Sequence, residues 1–197
     1  CLNSQHIELG GKMVDFGGWE MPLNYGSQID EHHCVRNDAG MFDVSHMCVI
    51  DIKGDSSQDF LRFLIANDVK KLTSKGQALY SCMLNEKGGV VDDLITYYLD
   101  DDFYRLVVNA GTTIKDLEWI SIQSEEFDVS IKHRTDLAMI AVQGPNAISK
   151  TFHAIPGTEE ICRDLKPFHA ISIGSLFVAR TGYTGEDGVE VMLDQKD

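Results

Sequence analysis

Two adjacent acids, Asp92 and Asp93, stand inside the apolar run Val90-Val91-Asp92-Asp93-Leu94-Ile95-Thr96-Tyr97-Tyr98. Asp is poor in strands, and a charged carboxylate is costly to bury without a partner. The two-residue period of a strand separates the pair. Asp93 shares a face with Val91, Ile95, Tyr97 and Leu99, and Asp92 shares the other with Val90, Leu94, Thr96 and Tyr98. Both faces are apolar, and the Asp93 face reads as the drier. A carboxylate held among aliphatics and a tyrosine suits a group that orients a ligand amine or moves its proton. A solvated acid near a strand end is the alternative reading.

Other residues offer weaker chemistry. His32-His33 follows Asp30-Glu31 in a helical stretch. Neighbours on a helix point about 100° apart, so both imidazoles do not easily face one metal, and a solvated helix face is the simpler reading. No His-x-x-x-His or Cys/His cluster occurs, and no catalytic metal is expected. His46, where a turn enters a strand, reads either as a structural hydrogen-bonder or as a catalytic group. Ser45 lacks the Gly-x-Ser-x-Gly elbow of a hydrolase. Gly182-Tyr183-Thr184-Gly185-Glu186-Asp187-Gly188 is glycine-rich, but lacks the Gly-Lys-[Ser/Thr] ending, and its two acids would repel phosphate. It fits a tight connection between strands, one that brings Tyr183 and Glu190 towards one ligand. Tyr gives a ring with a polar end, and Glu accepts from ring N–H groups.

The elements that must hold these residues follow from pattern. Asn85-Glu86-Lys87-Gly88-Gly89 is turn chemistry between two strand-like runs, Ala78 to Leu84 and Val90 onward, so a β-hairpin carries the acid pair. Residues 1–12 read as polar with a break at Gly10-Gly11, and Met13 to Tyr25 as loop with short extended pieces. Ser27 caps a helix that runs to about Asp38 and stops at Gly40. A strand spans Met47 to Ile52, and Asp55 caps a helix through Ala66 whose inner side carries Phe60, Leu61, Leu64 and Ile65. Asp100-Asp101-Asp102 turns into a strand over Phe103 to Asn109, followed by a helix over Thr113 to Glu126. Strands are expected at Val129–Lys132, Leu137–Gln143, Leu176–Thr181 and Val189–Leu193. Pro145 suits the first turn of a further helix. Strands come in runs with helices covering them singly, which favours an α+β fold over a parallel doubly wound one.

The whole chain sets bounds. Its 197 residues suffice for one large domain or two small ones. Composition is that of a globular protein, 43% hydrophobic and 24% charged, and no apolar run reaches bilayer length. A net charge of −14 argues against non-specific binding to nucleic acid or anionic membrane. Five scattered cysteines, never in a Cys-x-x-Cys pair, point away from a disulfide framework and towards a reducing compartment. The chain begins at Cys1 without a methionine and ends just after a strand-like run, so both ends read as cut.

Five motifs together carry a family resemblance. Met13-Val14-Asp15-Phe16-Gly17-Gly18-Trp19-Glu20-Met21-Pro22, Gly40-Met41-Phe42-Asp43-Val44-Ser45-His46-Met47, Gly88-Gly89-Val90-Val91-Asp92-Asp93-Leu94, Val142-Gln143-Gly144-Pro145 and Arg180-Thr181-Gly182-Tyr183-Thr184-Gly185-Glu186 resemble, in order, those of the aminomethyltransferases, the T proteins of the glycine cleavage system. The likeness covers essentially the whole chain but about the first half of the family's usual length, with spacing nearest to bacterial versions.

The resemblance implies an activity. Such an enzyme takes an aminomethyl group from the lipoyl arm of the H protein, releases ammonia, and passes the one-carbon unit to tetrahydrofolate as 5,10-methylenetetrahydrofolate. By motif position Asp93 resembles the catalytic acid, near N10 of the folate. Met47, Tyr80, Ile95, Tyr97 and Asn109 match positions lining the folate pocket, and Tyr183 and Glu190 match the group that reads the pterin. The implied fold is a discontinuous first domain, 1–50 plus 135–197, with a second inserted at 51–134 and the C-terminal barrel domain absent. A later Ala-Arg-Asp…Arg-Leu-Glu motif, whose arginine serves the folate site, is also absent, which implies that these residues alone are inactive. The implied location is the bacterial cytoplasm, or the mitochondrial matrix of a eukaryote. Two relatives of the same fold are the alternatives. The iron–sulfur assembly factor carries Lys-Gly-Cys-x-x-Gly-Gln-Glu, which this chain lacks, and folate-dependent demethylases act on sarcosine-like or sulfonium substrates.

Overall fold

The computed structural model describes residues 2–182 and 184–197. In chain order come α1 (Asn3–Glu8), β1 (Met13–Phe16), β2 (Trp19–Pro22), α2 (Gln28–Asn37), β3 (Gly40–Asp43) and β4 (Cys48–Lys53). Next are α3 (Ser57–Leu64), β5 (Ala78–Leu84), β6 (Val90–Asp100), β7 (Phe103–Val108), α4 (Thr113–Gln123) and β8 (Ser130–His133). The chain continues through β9 (Leu137–Gln143), α5 (Ala147–Ala154), α6 (Glu159–Cys162), β10 (Ala170–Ile173), β11 (Leu176–Ala179) and β12 (Gly188–Asp194). The fold is α+β, and antiparallel pairing joins β1 to β2, links β11, β12, β9 and β3, and links β5, β6, β7, β4 and β8.

The chain divides into two compact units. The first is Cys1–His46, Asp136–Pro167 and Ile171–Asp197, and the second is Met47–Thr135 with Phe168–Ala170. In the first unit β12 lies at the centre of the order β10-β11-β12-β9-β3. Val178, Val189, Val191 and Phe152 form its core. In the second unit the order is β5-β6-β7-β4-β8. One face of that sheet packs Ile50, Ile52, Leu94 and Leu106 against Phe60, Leu61 and Leu64 of α3 and Ile120 of α4. The apolar positions of α3 recur at helical spacing, which gives that short helix a buried side.

The hairpin forms through its turn residues. Asn85 N–H donates to Gly89 O at 2.8 Å, and the Asn85 side-chain oxygen accepts from Lys87 N and Gly89 N, both at 2.9 Å. Gly88 adopts φ +76°, a left-handed conformation that glycine takes without steric cost. Gly144 does a different job: at φ +131° a Cβ there would sit 2.5 Å from both Asp38 O and Val35 O, so the Gly144-Pro145 motif marks a close chain crossing.

Several sequence expectations need correction. Residues 3–8 form a helix and 40–43 a strand, both beyond what the pattern suggested. Asp55 does not cap α3, because the cap position is Ser56. The chain swings at Gly54 (φ +143°) and Ser57 N–H donates to Gly54 O at 3.0 Å, so the helix begins one residue later. Pro145 precedes the cap of α5 rather than opening its first turn. Asn146 is tied to Asp38 through its own N–H at 2.9 Å and its amide at 3.0 Å, which sets the helix start after it. Ser27 does cap α2, accepting from Asp30 N at 3.2 Å.

Candidate functional site

Strand register decides which side chains meet. Across β5 and β6, Cys82 faces Asp93, Tyr80 faces Ile95 and Ala78 faces Tyr97. Across β6 and β7, Ile95 faces Val107 and Tyr97 faces Arg105. Directly opposed residues share a face. One side of the sheet therefore carries Tyr80, Asp93, Ile95 and Tyr97, with Asn109 just past the end of β7.

The burial of the two acids reverses the expectation from sequence. Asp92 is 7% exposed and its face neighbours Leu94 and Thr96 are buried, whereas Asp93 is only half-buried. The drier face is the Asp92 face, because α3 and α4 close over it. Counting apolar neighbours within one strand does not reveal which side the helices cover.

Asp93 keeps a hydrogen-bonded but open setting. Tyr80, 53% exposed, donates its hydroxyl to Asp93 Oδ2 at 2.5 Å. That bond, with burial and the nearby acids adding to it, pushes the Tyr80 hydroxyl above its ordinary pKa. The phenol thus stays a donor. The Asn109 amide donates to Asp93 O at 3.1 Å and approaches Asp93 Oδ1 at 3.4 Å. It also donates to Asp92 Oδ1 at 2.9 Å. Tyr97 is fully buried, Ile95 half-buried, and Met47 stands half-buried just before β4. Beside them on the same face lies a bidentate pair, Arg105 to Asp51 at 2.7 and 3.0 Å, joined by Arg134 at 2.6 Å.

Glu190 belongs to the first unit. It lies on β12 opposite Ala141 and Ala179, 8% exposed. Among the described residues its hydrogen-bond partner is the Thr181 hydroxyl. Burial raises its carboxyl above the usual range, and the Thr181 bond only partly opposes this. Tyr183 lies outside the described residues. The acids of the glycine-rich turn are engaged elsewhere, Asp187 with Arg180 at 2.6 Å and Glu186 with Arg36 at 2.8 Å.

Ser45 is structural: Met139 N donates to its Oγ at 3.1 Å, and its hydroxyl donates back to Met139 O at 3.3 Å. Burial lowers the His46 pKa against the pull of Asp43, and its ring meets Phe16 edge-on at 5.9 Å. His46 borders a pocket of about 220 Å³ together with His6, Trp19 and Asp43. His32 and His33 are exposed on α2. No group of three His, Cys, Asp or Glu side chains among the described residues is placed to hold a metal ion. Among the described residues no helix is long and apolar enough to cross a membrane.

Sequence reading missed Asp116, which is fully buried on α4. The signal was present, since Asp116 precedes Ile120 by one helical turn and so shares its inner side.

An α+β chain with antiparallel sheets and a hairpin-borne acid pair defines a class, and comparison gives it a family. Residues 2–197 match the GCVT N-terminal domain family, and the chain belongs to it. The aminomethyltransferase of Nitrosomonas eutropha is 58% identical over 194 residues, covering 98% of this chain and 53% of that protein. That of Xanthomonas campestris pv. campestris is 57% identical, covering 100% of this chain and 55% of that protein. The crystal structure of glycine cleavage system aminomethyltransferase T from Bartonella henselae superposes with a TM-score of 0.88 at 34% identity, over 97% of this chain and 52% of that one. A chain of heterotetrameric sarcosine oxidase from Corynebacterium sp. U-96 shares the fold alone, at 10% identity and a TM-score of 0.53, over 84% of this chain and 82% of that one. The chain spans about half the length of the curated relatives it matches.

Proposed function

We propose that this chain supplies folate-handling residues of a glycine-cleavage aminomethyltransferase of the bacterial cytoplasm. The reaction passes the one-carbon unit of an aminomethyl group, carried on the lipoyl arm of the H protein, to tetrahydrofolate, giving 5,10-methylenetetrahydrofolate and ammonia. Family membership and the named relatives support this reading. The observation that carries it is the Tyr80–Asp93–Asn109 cluster on one sheet face.

The residues present fit a folate. Its reacting end presents amines and ring N–H groups, which are donors, and the chain offers carboxylates with free acceptor capacity. An ionised carboxylate has about four acceptor positions. Glu190 uses one on Thr181, and is buried enough for a further charge-assisted bond to count. In this reading Glu190 and Tyr183 read the pterin, and Met47, Ile95 and Tyr97 are the apolar residues that the second unit offers the folate.

Asp93 is the catalytic acid of the proposal. It orients the folate at N10 and helps proton movement. Tyr80 holds one of its oxygens and Asn109 holds its main chain, so the carboxylate has a fixed direction before substrate arrives. Its half-exposed position leaves the other oxygen within reach of a ligand.

The test is ammonia release by the complete protein, with tetrahydrofolate and aminomethylated H protein supplied together and singly. Release that needs both is the expected result. Release that is indifferent to folate, or demethylation of sarcosine in its place, overturns the assignment.

A further inference from the structure

Behind the Asp93 face lies a second carboxyl pair that the proposed reaction does not use. Asp92 accepts from three donors: Asn109 Nδ2 at 2.9 Å on Oδ1, and Asn109 N at 3.1 Å and Thr112 Oγ1 at 2.9 Å on Oδ2. That fills three of the four acceptor positions of a carboxylate. Asp116 lies beside it, fully buried; neither of its oxygens is in hydrogen-bond geometry with a donor among the described residues, though the nearby Thr112 hydroxyl eases its charge.

Two ionised carboxylates only accept, so they cannot bond each other. A single proton resolves the conflict. Placed on Asp116, it becomes the donor for the fourth position on Asp92, and the orphaned acid gains its partner. A second proton, on Asp92, would cost acceptor capacity that Asn109 and Thr112 use. One proton for two acids is the count that satisfies every group.

The electrostatics agree. Burial, then Asp92, pushes the Asp116 carboxyl up to about 7. Burial works to raise Asp92 too, but the bonds from Asn109, Asp116 and Thr112 outweigh it and hold it below the usual range. Around the pair, the Cys48 thiol of β4 is pushed up to about 11, by burial first and Asp116 in part. Lys115, the nearest cation on α4, eases Asp116 slightly but donates its own ammonium to Val91 O.

We propose that Asp92 and Asp116 hold one proton between them and act as a positioning pair for Asp93. The pair fixes Asn109 at the end of β7, and Asn109 in turn holds the Asp93 main chain and side chain. The positioning claim rests on Asp93 being the working acid of the proposed function; the shared proton does not.

Carboxyl ¹³C NMR of the labelled chain tests the proton directly. One Asp carboxyl should titrate with a midpoint near neutrality, and Asp116→Asn should abolish it. If every Asp carboxyl titrates below about pH 6, the shared proton is wrong. Kinetics of the complete enzyme test the positioning. Asp116→Leu should lower kcat on the order of 10- to 100-fold, with KM for tetrahydrofolate little changed, as expected of a misplaced catalytic group. Asp116→Asn should recover most of that loss, because its amide donates to Asp92 as the acid does. A folded Asp116→Leu enzyme with normal kcat overturns the positioning role. Should that variant fail to fold, the wild-type chain still decides. The Asn109 side-chain amide resonances should move with the same near-neutral midpoint, and their indifference to pH overturns the coupling. If Asp93→Asn itself retains full turnover while the near-neutral carboxyl titrates as described, the proposed function fails and the shared proton survives.

Discussion

The two faces of the β6 sheet treat neighbouring acids in opposite ways. On the closed face Asp92 is 7% exposed and bonded to Asn109 twice and Thr112 once. On the open face Asp93 is half-buried, its carboxylate bonded by Tyr80 and approached by Asn109. Burial makes the first acid a fastener, since its lone pairs are committed to its own chain. Exposure leaves the second with capacity to spare. For a carboxylate, the useful measure of readiness is the acceptor capacity left over, more than the dryness of the surroundings.

The sharpest way to break this contrast is to remove each charge in turn. Asp93→Asn in the complete enzyme should preserve the fold and lower turnover on the order of 10²–10⁴-fold, the usual contribution of an acid–base group. Steady-state assays with circular dichroism as a control check this. Near-normal turnover would mean that the open face is not where the reaction occurs.

On the closed face the loss should appear in stability instead. Asp92→Ala removes an acceptor from three part-buried donors, Asn109 N–H, the Asn109 amide and the Thr112 hydroxyl, of which the amide keeps Asp93 O and the hydroxyl can turn to Asn109 O. A buried group left without a partner costs roughly 1–3 kcal/mol; here solvent entry and the two remaining acceptors trim the sum, so about 2 kcal/mol is expected. Urea unfolding of the chain measures it. A change under about 0.5 kcal/mol, the level of an ordinary surface substitution, would contradict the fastener role.

How much of this was legible in the sequence depends on which scale of information each feature needs. The hairpin was legible because its signal is local: Asn85, Gly88 and Gly89 make the turn through bonds within five residues. The Ser27 cap was legible for the same reason. The polarity of the β6 faces was not, because it depends on α3 and α4 packing from distant segments. The start of α3 was misplaced by one residue, since Gly54 turns against Asp128, whose oxygen would lie 2.2 Å from a Cβ there. The residues proposed for the folate site came from family likeness. The period of β6 already put Asp93, Ile95 and Tyr97 on one face, and strand register adds Tyr80 from β5, which no single-strand pattern could show.

Glu190 offers a comparison between units. It is as buried as Asp92, yet among the described residues only the Thr181 hydroxyl bonds it. By the measure of spare capacity it belongs with Asp93. Glu190→Gln in the complete enzyme should weaken tetrahydrofolate binding by roughly 1.5–3 kcal/mol, the worth of a charge-assisted bond, with a smaller effect on turnover of the bound complex. Isothermal titration calorimetry reads the affinity. Unchanged affinity would place Glu190 among the fasteners.

The smallest effect expected separates holding from reacting on the open face. Tyr80 donates to Asp93, but the residue is 53% exposed, so water replaces the hydroxyl when it is removed. Tyr80→Phe should therefore cost about 1 kcal/mol or less, a fall in turnover of roughly fivefold. The matching change on the closed face is Thr112→Val, which removes one donor from Asp92 where burial limits replacement by water. That variant should lose about 1–2 kcal/mol of stability and little activity. The two substitutions delete the same kind of group, a hydroxyl bonded to an aspartate, and differ in which face they touch. Measuring turnover and urea stability on both gives four numbers. If Tyr80→Phe loses stability and Thr112→Val loses turnover, the roles of the faces are exchanged and the assignment of Asp93 goes with them.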